Sequence, residues 1–304
     1  MKAPHFLVVG AARSGTTALH YSLRQHPSLF VPAIKEPCFF SFAEKKPEYK
    51  NGRFAFTIQS PEKYFKLFDD AGSEQVCGEI STPYLYLYQR TIKNIMQYHP
   101  DHRKLKILIL LRNPVERAFS QYMWRIRDGR EELSFEEALA AEPKRMKEDY
   151  SFDYFYIDRG MYFRQVKAYL ENFDSVKIIL FDDILNDPSG MLRVICRYLG
   201  VDEHFVFRGE SGRNDSYEPR WNFLGRLVTS ENRIKFHALN QLPDSWRSGI
   251  RKQFDRWNSK SGNQISLLPE TATYLRALYR EDILRLQDMI GRDLSSWLVQ
   301  GGRG

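Results

Sequence analysis

The stretch FLVVGAARSGTTALHYSL, residues 6–23, decides how the rest of the chain is read. An apolar strand, Phe6 to Gly10, runs into a small-residue turn, and the turn runs directly into a helix beginning at Thr16. A unit of this kind aims several free backbone N–H groups, and the positive end of a helix dipole, at one point. That point attracts an anion. Gly10 and Gly15 followed by Thr16 and Thr17 keep the G-x-x-x-x-G-K-[ST] spacing of phosphate-binding loops, except that Thr16 stands where the lysine belongs. The strong cation of this loop is Arg13, three residues earlier.

The chain has 304 residues, 42% of them hydrophobic and 14% aromatic, ample for one large domain or two small ones. It contains no run of eighteen or more apolar residues, so no integral membrane segment is expected. Only Lys2 and His5 offer positive charge before the first strand, which argues against a signal peptide. Cys38, Cys77 and Cys196 are scattered without C-x-x-C spacing, which argues against a zinc site and a disulfide framework. A reducing compartment, most simply the cytoplasm, is the expectation. The formal charge of +7 favours anionic ligands without choosing among nucleotides, acidic glycans, nucleic acid and lipid headgroups.

Read by period, the chain alternates short apolar runs with longer segments of helical spacing. Strands are expected at Phe6–Gly10, Leu105–Leu111 and Val176–Phe181. Helices are expected at Thr16–Gln25, Pro114–Arg127, Met161–Phe173, Pro188–Leu199 and Glu270–Ile290, the last packing against the sheet. Continuous apolar strands separated by helices predict an α/β fold of three layers, a central parallel sheet with helices on both faces. Residues 1–304 read as a single domain. A basic, mainly helical insertion occupies about 220–260, with Trp221, Trp246 and Trp257. It serves either as an amphipathic cap with a solvated basic face or as one wall of a cleft for an acidic substrate.

LLRNPVERAFSQYMW, residues 110–124, carries a clear helix start. Asn113 stands at the N-cap, Pro114 at the first helical position, and Glu116 where a capping box wants an acceptor. Arg112 therefore sits beside a helix N-terminus, and Ser120 lies two turns in, on the face of Asn113. A guanidinium with a nearby hydroxyl suits a phosphate dianion, although Arg112 can also pair with Glu116. A nucleoside triphosphatase would show a loop lysine and a strand-terminal Asp for magnesium. Here the run LKILILL ends in Arg112, whereas VKIILF ends in Asp182 and Asp183. Two anion-holding strand ends without an obvious magnesium carboxylate between them imply a nucleotide phosphorylated at two separate positions.

Together these residues resemble the sulfotransferases that use 3′-phosphoadenosine 5′-phosphosulfate, PAPS. GAARSGTTALHYSLRQHP looks like the family's 5′-phosphosulfate loop, and LRNPVERAFSQY looks like its 3′-phosphate motif. VPAIKEPCFF is similar to the segment that supplies a catalytic glutamate in the heparan sulfate branch and its bacterial relatives. GEISTPYLY, RGMYFRQVKAYL and IGRDLSSWL also look like that branch. The resemblance covers most of the chain and implies a P-loop-NTPase-like sulfotransferase fold. It implies that Arg13, Ser14, Gly15, Thr16 and Thr17 bind the 5′-phosphosulfate, and that Arg112 and Ser120 bind the 3′-phosphate. Glu36 would be the base, and Arg213, Asn214 and Ser216 are candidates for the late nucleotide-contacting loop. The lysine that the heparan branch often carries before its Thr/Ser-Pro motif is absent, since Ser81 precedes Thr82-Pro83.

The expected reaction is in-line transfer of a sulfuryl group from PAPS, leaving PAP, to a hydroxyl, or less readily an amine, of a glycan, lipid or other small-molecule acceptor. No metal is required. Arg13, the Thr16 and Thr17 hydroxyls and the loop N–H groups stabilise the leaving charge, where one donor typically contributes about 3 kcal/mol. Arg159 and Tyr162 either line the acceptor cleft or cap the helix that follows. His20 is read as a packed histidine. The competing readings are a P-loop nucleotide kinase, which wants lysine at position 16 and an acid at 112, and a basic nucleic-acid-binding protein, whose affinity would fall steeply with salt.

Overall fold

The computed structural model describes residues 2–50, 57–208 and 265–299. Residues 1–212 and 269–304 make up one compact unit, which carries the sheet. Its strands are β1 (Phe6–Gly10), β2 (Leu29–Phe30), β3 (Val76–Ile80), β4 (Lys106–Leu111) and β5 (Ser175–Leu180). The α-helices in chain order are α1 (Thr16–Leu23), α2 (Phe39–Phe42), α3 (Pro61–Phe65), α4 (Pro83–Tyr86), α5 (Tyr88–Tyr98) and α6 (Pro114–Arg127). They continue with α7 (Phe135–Lys147), α8 (Tyr162–Asn172), α9 (Phe181–Asn186), α10 (Pro188–Leu199) and α11 (Pro269–Ile290).

The sheet order is β2-β3-β1-β4-β5, and every pairing is parallel. Parallel strands need both faces covered, and the alternating side chains of β1 show how this is met. Phe6 and Val8 join Leu19 and Leu23 of α1, Leu108 and Leu110 of β4, and Ile195 and Leu199 of α10 in one apolar cluster. Toward the opposite face, α4 packs on β1 and α8 on β5. KILILL of β4 is buried along all but its first residue, as its unbroken apolar run predicts. The chain is therefore the expected three-layer α/β fold with a central parallel sheet.

The helix Pro114–Arg127 and the strand Phe6–Gly10 have the predicted bounds. Strand β3 is an addition. Its sequence VCGEI hides it, because Gly and Glu are depleted in strands. Gly78 is demanded by close approach, since a Cβ there would lie 2.3 Å from the Phe6 ring. Helix α7 also escaped the period reading, although Ser134 and Glu137 close a full capping box at its start. The terminal helix α11 packs chiefly on α8 and α6, so its main contacts are with helices rather than with the sheet.

The strand order reverses around β1: the chain moves from β1 outward to β2, returns to β3, then crosses to β4 and β5. In open parallel sheets ligands bind outside the carboxyl ends of the strands at such a switch point. The segments 11–17, 81–86 and 112–120 all leave those ends.

Candidate active site

At the end of β1, Gly15 occupies the N-cap of α1 with φ 86°, and the helix has neither a capping side chain nor an acidic residue in its first turn. Glycine is needed twice over at this point. The positive φ disfavours any other residue, and a Cβ would meet the Phe181 ring at 3.0 Å. The N–H groups of the first turn are thus left open to a ligand. Ser14 is fully buried, and its Oγ has no hydrogen-bond partner among the described residues.

Arg13 also has positive φ, 69°. Its Nε donates to Ser120 Oγ at 3.1 Å, and its guanidinium lies 6.0 Å from the Trp124 ring centre, so the side chain leans onto α6. Burial, then the neighbouring charges of Arg127 and Arg112, bring its pKa down to about 10. It remains cationic at neutral pH.

Arg112 follows β4. Its Nη1 donates to the Arg13 carbonyl at 3.3 Å, which ties the two loops together. Its Nε and Nη2 donate to Glu116 Oε2 at 3.2 and 3.0 Å. The expected capping box is therefore not formed by Glu116. Asn113 caps α6 through Val115 N at 3.0 Å, and Glu116 takes the guanidinium instead, a charge-assisted contact that outcompetes a neutral amide. Tyr162 is fully buried and donates its hydroxyl to the Arg112 carbonyl at 3.1 Å. The Phe181 ring lies 4.9 Å from the Arg112 guanidinium and also abuts Gly15.

Glu36 is held over the end of β3. Its backbone has φ 56°, and its N–H donates to the Ile80 carbonyl at 3.1 Å. Its Oε1 accepts from Thr82 Oγ1 at 2.9 Å and Lys35 Nζ at 3.1 Å, while 32% of the side chain stays accessible. Burial pushes the carboxyl up, but the Lys35 charge, the bonds from Lys35 and Thr82, and the Arg159 charge hold it below the usual carboxylate range. Glu36 is ionised at neutral pH, and its charge is felt at Arg13.

Beside Thr82 a small cavity is lined by Ala11 and Ala12 of the first loop and by Tyr86, Arg117 and Arg159. Arg159 pairs with Asp153 at 3.0 Å. Arg117 is 1% exposed, and its Nε and Nη1 have no hydrogen-bond partner among the described residues. Of the two RGMY residues, Arg159 lines this small cavity, whereas Tyr162 supports Arg112. His20 is buried and neutral, its pKa lowered to about 4 first by burial and then by the charges of Lys35 and Arg24. The acids after β5 are engaged elsewhere: Trp297 Nε1 donates to Asp182 at 3.1 Å and Arg292 Nη2 to Asp183 at 2.9 Å. Among the described residues no group of three or more His, Cys, Asp or Glu side chains is arranged to hold a metal ion. Arg213, Asn214 and Ser216, with the basic stretch 220–260, lie outside the described residues.

Sequence reasoning did not single out Thr82, Arg117 or Glu79. Thr82 belongs to the GEISTPYLY stretch, and its hydroxyl on Glu36 is the contact that period and spacing do not encode. Glu79 carried a faint signal, a carboxylate near the carboxyl end of a strand.

A parallel sheet whose β1 loop opens an uncapped helix toward its carboxyl edge defines the P-loop-like class of anion-binding α/β proteins. Within that class the chain belongs to the sulfotransferase family: residues 4–204 match the family described as "Sulfotransferase family". It is 33% identical to a sulfotransferase from Alicyclobacillus acidocaldarius, whose crystal structure superposes with a TM-score of 0.74 over 98% of this chain and 99% of that one. It is 24% identical to mouse heparan sulfate glucosamine 3-O-sulfotransferase 3B1, over 82% of this chain and 62% of that protein. The membrane-associated sulfotransferase kil1 of Dictyostelium discoideum is 31% identical over 40% of this chain and 23% of its own length. The chain thus spans less than two thirds of these curated relatives. Among the described residues no helix is long and apolar enough to cross a membrane.

Proposed function

We propose that this sulfotransferase takes its sulfuryl group from PAPS and passes it to an acceptor hydroxyl, with Glu36 as general base. The observation that carries the reading is the link between the two strand-end cradles. Arg112 Nη1 reaches the Arg13 carbonyl, and Arg13 Nε reaches Ser120 Oγ, so one adenosine with anions at its 5′ and 3′ positions can span both. The residues fit such a molecule, because the α1 N-terminus is uncapped, Ser14 Oγ is an orphan, and the Arg13 terminal nitrogens have no hydrogen-bond partner among the described residues.

In this reading the N–H groups of Gly15, Thr16 and Thr17, with the Ser14 and Thr hydroxyls, grip the 5′ end. Arg112 and Ser120 grip the 3′-phosphate, which takes over the place of the half-exposed Glu116 carboxylate on Arg112. Arg213, Asn214 and Ser216 are assigned to the same nucleotide. PAPS supplies the sulfuryl group and leaves as PAP. Arg13 and the loop N–H groups stabilise charge growing on the departing 5′-phosphate. Glu36, ionised and fixed by Thr82, accepts the proton of the acceptor hydroxyl. The buried Arg159 adds positive charge near Glu36, in keeping with an acidic glycan or another anionic acceptor. No step in this scheme calls on a metal ion.

Calorimetry with PAP and with adenosine 5′-phosphate, beside a transfer assay on E36Q, tests the proposal. PAP should bind far more tightly than adenosine 5′-phosphate, without magnesium. E36Q should keep PAP affinity while turnover falls by about 100-fold or more. Equal binding of the two nucleotides would refute the 3′ assignment, and unchanged turnover would remove Glu36 as base.

A further inference from the structure

We infer that Glu79 is a positioning residue for Glu36: lying beneath the 36–40 turn, it gathers the hydroxyls of Ser81 and Tyr84, each of which holds one backbone N–H of that turn. This rests on the reading of Glu36 as the base. The turn is conformationally costly, since Glu36 and Cys38 both adopt positive φ, 56° and 55°. Something must over-determine it. Alternate amides of the turn are anchored to the segment that leaves β3. Glu36 N–H donates to the Ile80 carbonyl at 3.1 Å, Cys38 N–H to Ser81 Oγ at 3.0 Å, and Phe40 N–H to the Tyr84 hydroxyl at 3.2 Å.

Two of these three anchors are hydroxyls, and a hydroxyl that accepts from an amide must still place its own proton. Ser81 Oγ donates to Glu79 Oε2 at 2.8 Å, and the Tyr84 hydroxyl lies close to the same carboxylate. In its ionised form the carboxylate only accepts, and in that form it directs the Ser81 relay from amide to hydroxyl to Glu79 and favours the same direction at Tyr84. Tyr64 donates to Glu79 Oε1 at 3.3 Å as a third hydroxyl, and no amide of the turn bonds to it in turn.

Glu79 is 1% exposed and forms no salt bridge among the described residues. Burial raises its pKa to about 7 against the pull of the Tyr84, Ser81 and Tyr64 hydroxyls, with the Glu36 charge adding to the rise. A fold seeking stability alone would place an apolar or amide side chain there. Retention of a carboxylate is explained by its use as a one-way acceptor.

The test compares E79Q, S81A and Y84F with Y64F, measuring kcat, KM for both substrates, PAP affinity, and hydrogen exchange at the Cys38 and Phe40 amides. Y64F removes one bond to Glu79 but no relay, so it controls for general loosening around the carboxylate. The first three variants should lose kcat by roughly 10- to 100-fold, as small misplacements of a catalytic group do. They should keep PAP affinity within about twofold and expose the two amides to faster exchange, while Y64F should match the parent enzyme. Equal losses in Y64F and Y84F overturn the inference. So does parental kcat in S81A and Y84F when E36Q is inactive. Full turnover in E36Q overturns the base assignment, and this inference with it.

Discussion

Helices α1 and α6 both begin where a strand of the same sheet ends, yet their N-termini are finished in opposite ways. At α1 the cap is a left-handed glycine with no side-chain acceptor and no acid in the first turn. At α6 Asn113 caps the amide of Val115, Pro114 removes another donor, and Glu116 adds negative charge. An uncapped terminus offers its backbone to an anion, whereas a capped one has already used it. The first cradle is therefore made of main chain, and the second of side chains, chiefly Arg112 with Ser120. Under the proposed function a single nucleotide is read by two chemistries, the main-chain cradle taking a tetrahedral anion of any parentage and the guanidinium selecting for a second phosphate.

The largest effect should come from R112A. Removing a charge-assisted donor pair costs about 2–3 kcal/mol, so PAP should bind roughly 100-fold more weakly while adenosine 5′-phosphate changes little. Equal losses for both nucleotides would make Arg112 structural and break the division of labour. Next comes G15A, which forces a Cβ into positive φ against Phe181 and should cost about 1–2 kcal/mol for both nucleotides alike. If only PAP suffered, the main-chain cradle would not be the shared site. N113A should lower thermal stability by about 1 kcal/mol and leave both affinities as they are, because the Asn113 side chain is spent on the Val115 amide. A matching loss of affinity would mean that the α6 amides also bind. The smallest effect belongs to E116A, which frees Arg112 from a half-exposed partner and should tighten PAP binding about twofold.

Much of the scaffold was legible because its signals are local. The KILILL run of β4, the Asn113-Pro114 start of α6 and the Gly15-Thr16 turn each state their structure within a few residues. The β2–β3 side of the sheet was not legible. Strand β3 reads poorly because Gly78 answers to the Phe6 ring and Glu79 to three hydroxyls, and both demands come from elsewhere in the fold. The same holds within the candidate site. Arg13, Arg112 and Ser120 stood out as residue types at meaningful spacing, but the lean of Arg13 onto Ser120 is a tertiary contact across 107 positions. Glu36 was named through family likeness, whereas its fixation by Thr82 required the folded chain. The partnership of Glu116 with Arg112, foreseen as the alternative to phosphate binding by Arg112, is present in the structure.

The ring of Phe181 abuts the glycine of the first cradle and lies near the arginine of the second, so it works as a spacer gauge between them. The bite of the crevice is then set from the end of β5, a strand that contributes no ligand-gripping atom itself. Under the proposed function, variation at this single hydrophobic position offers a handle on which doubly charged nucleotides fit, one that leaves every polar contact in place.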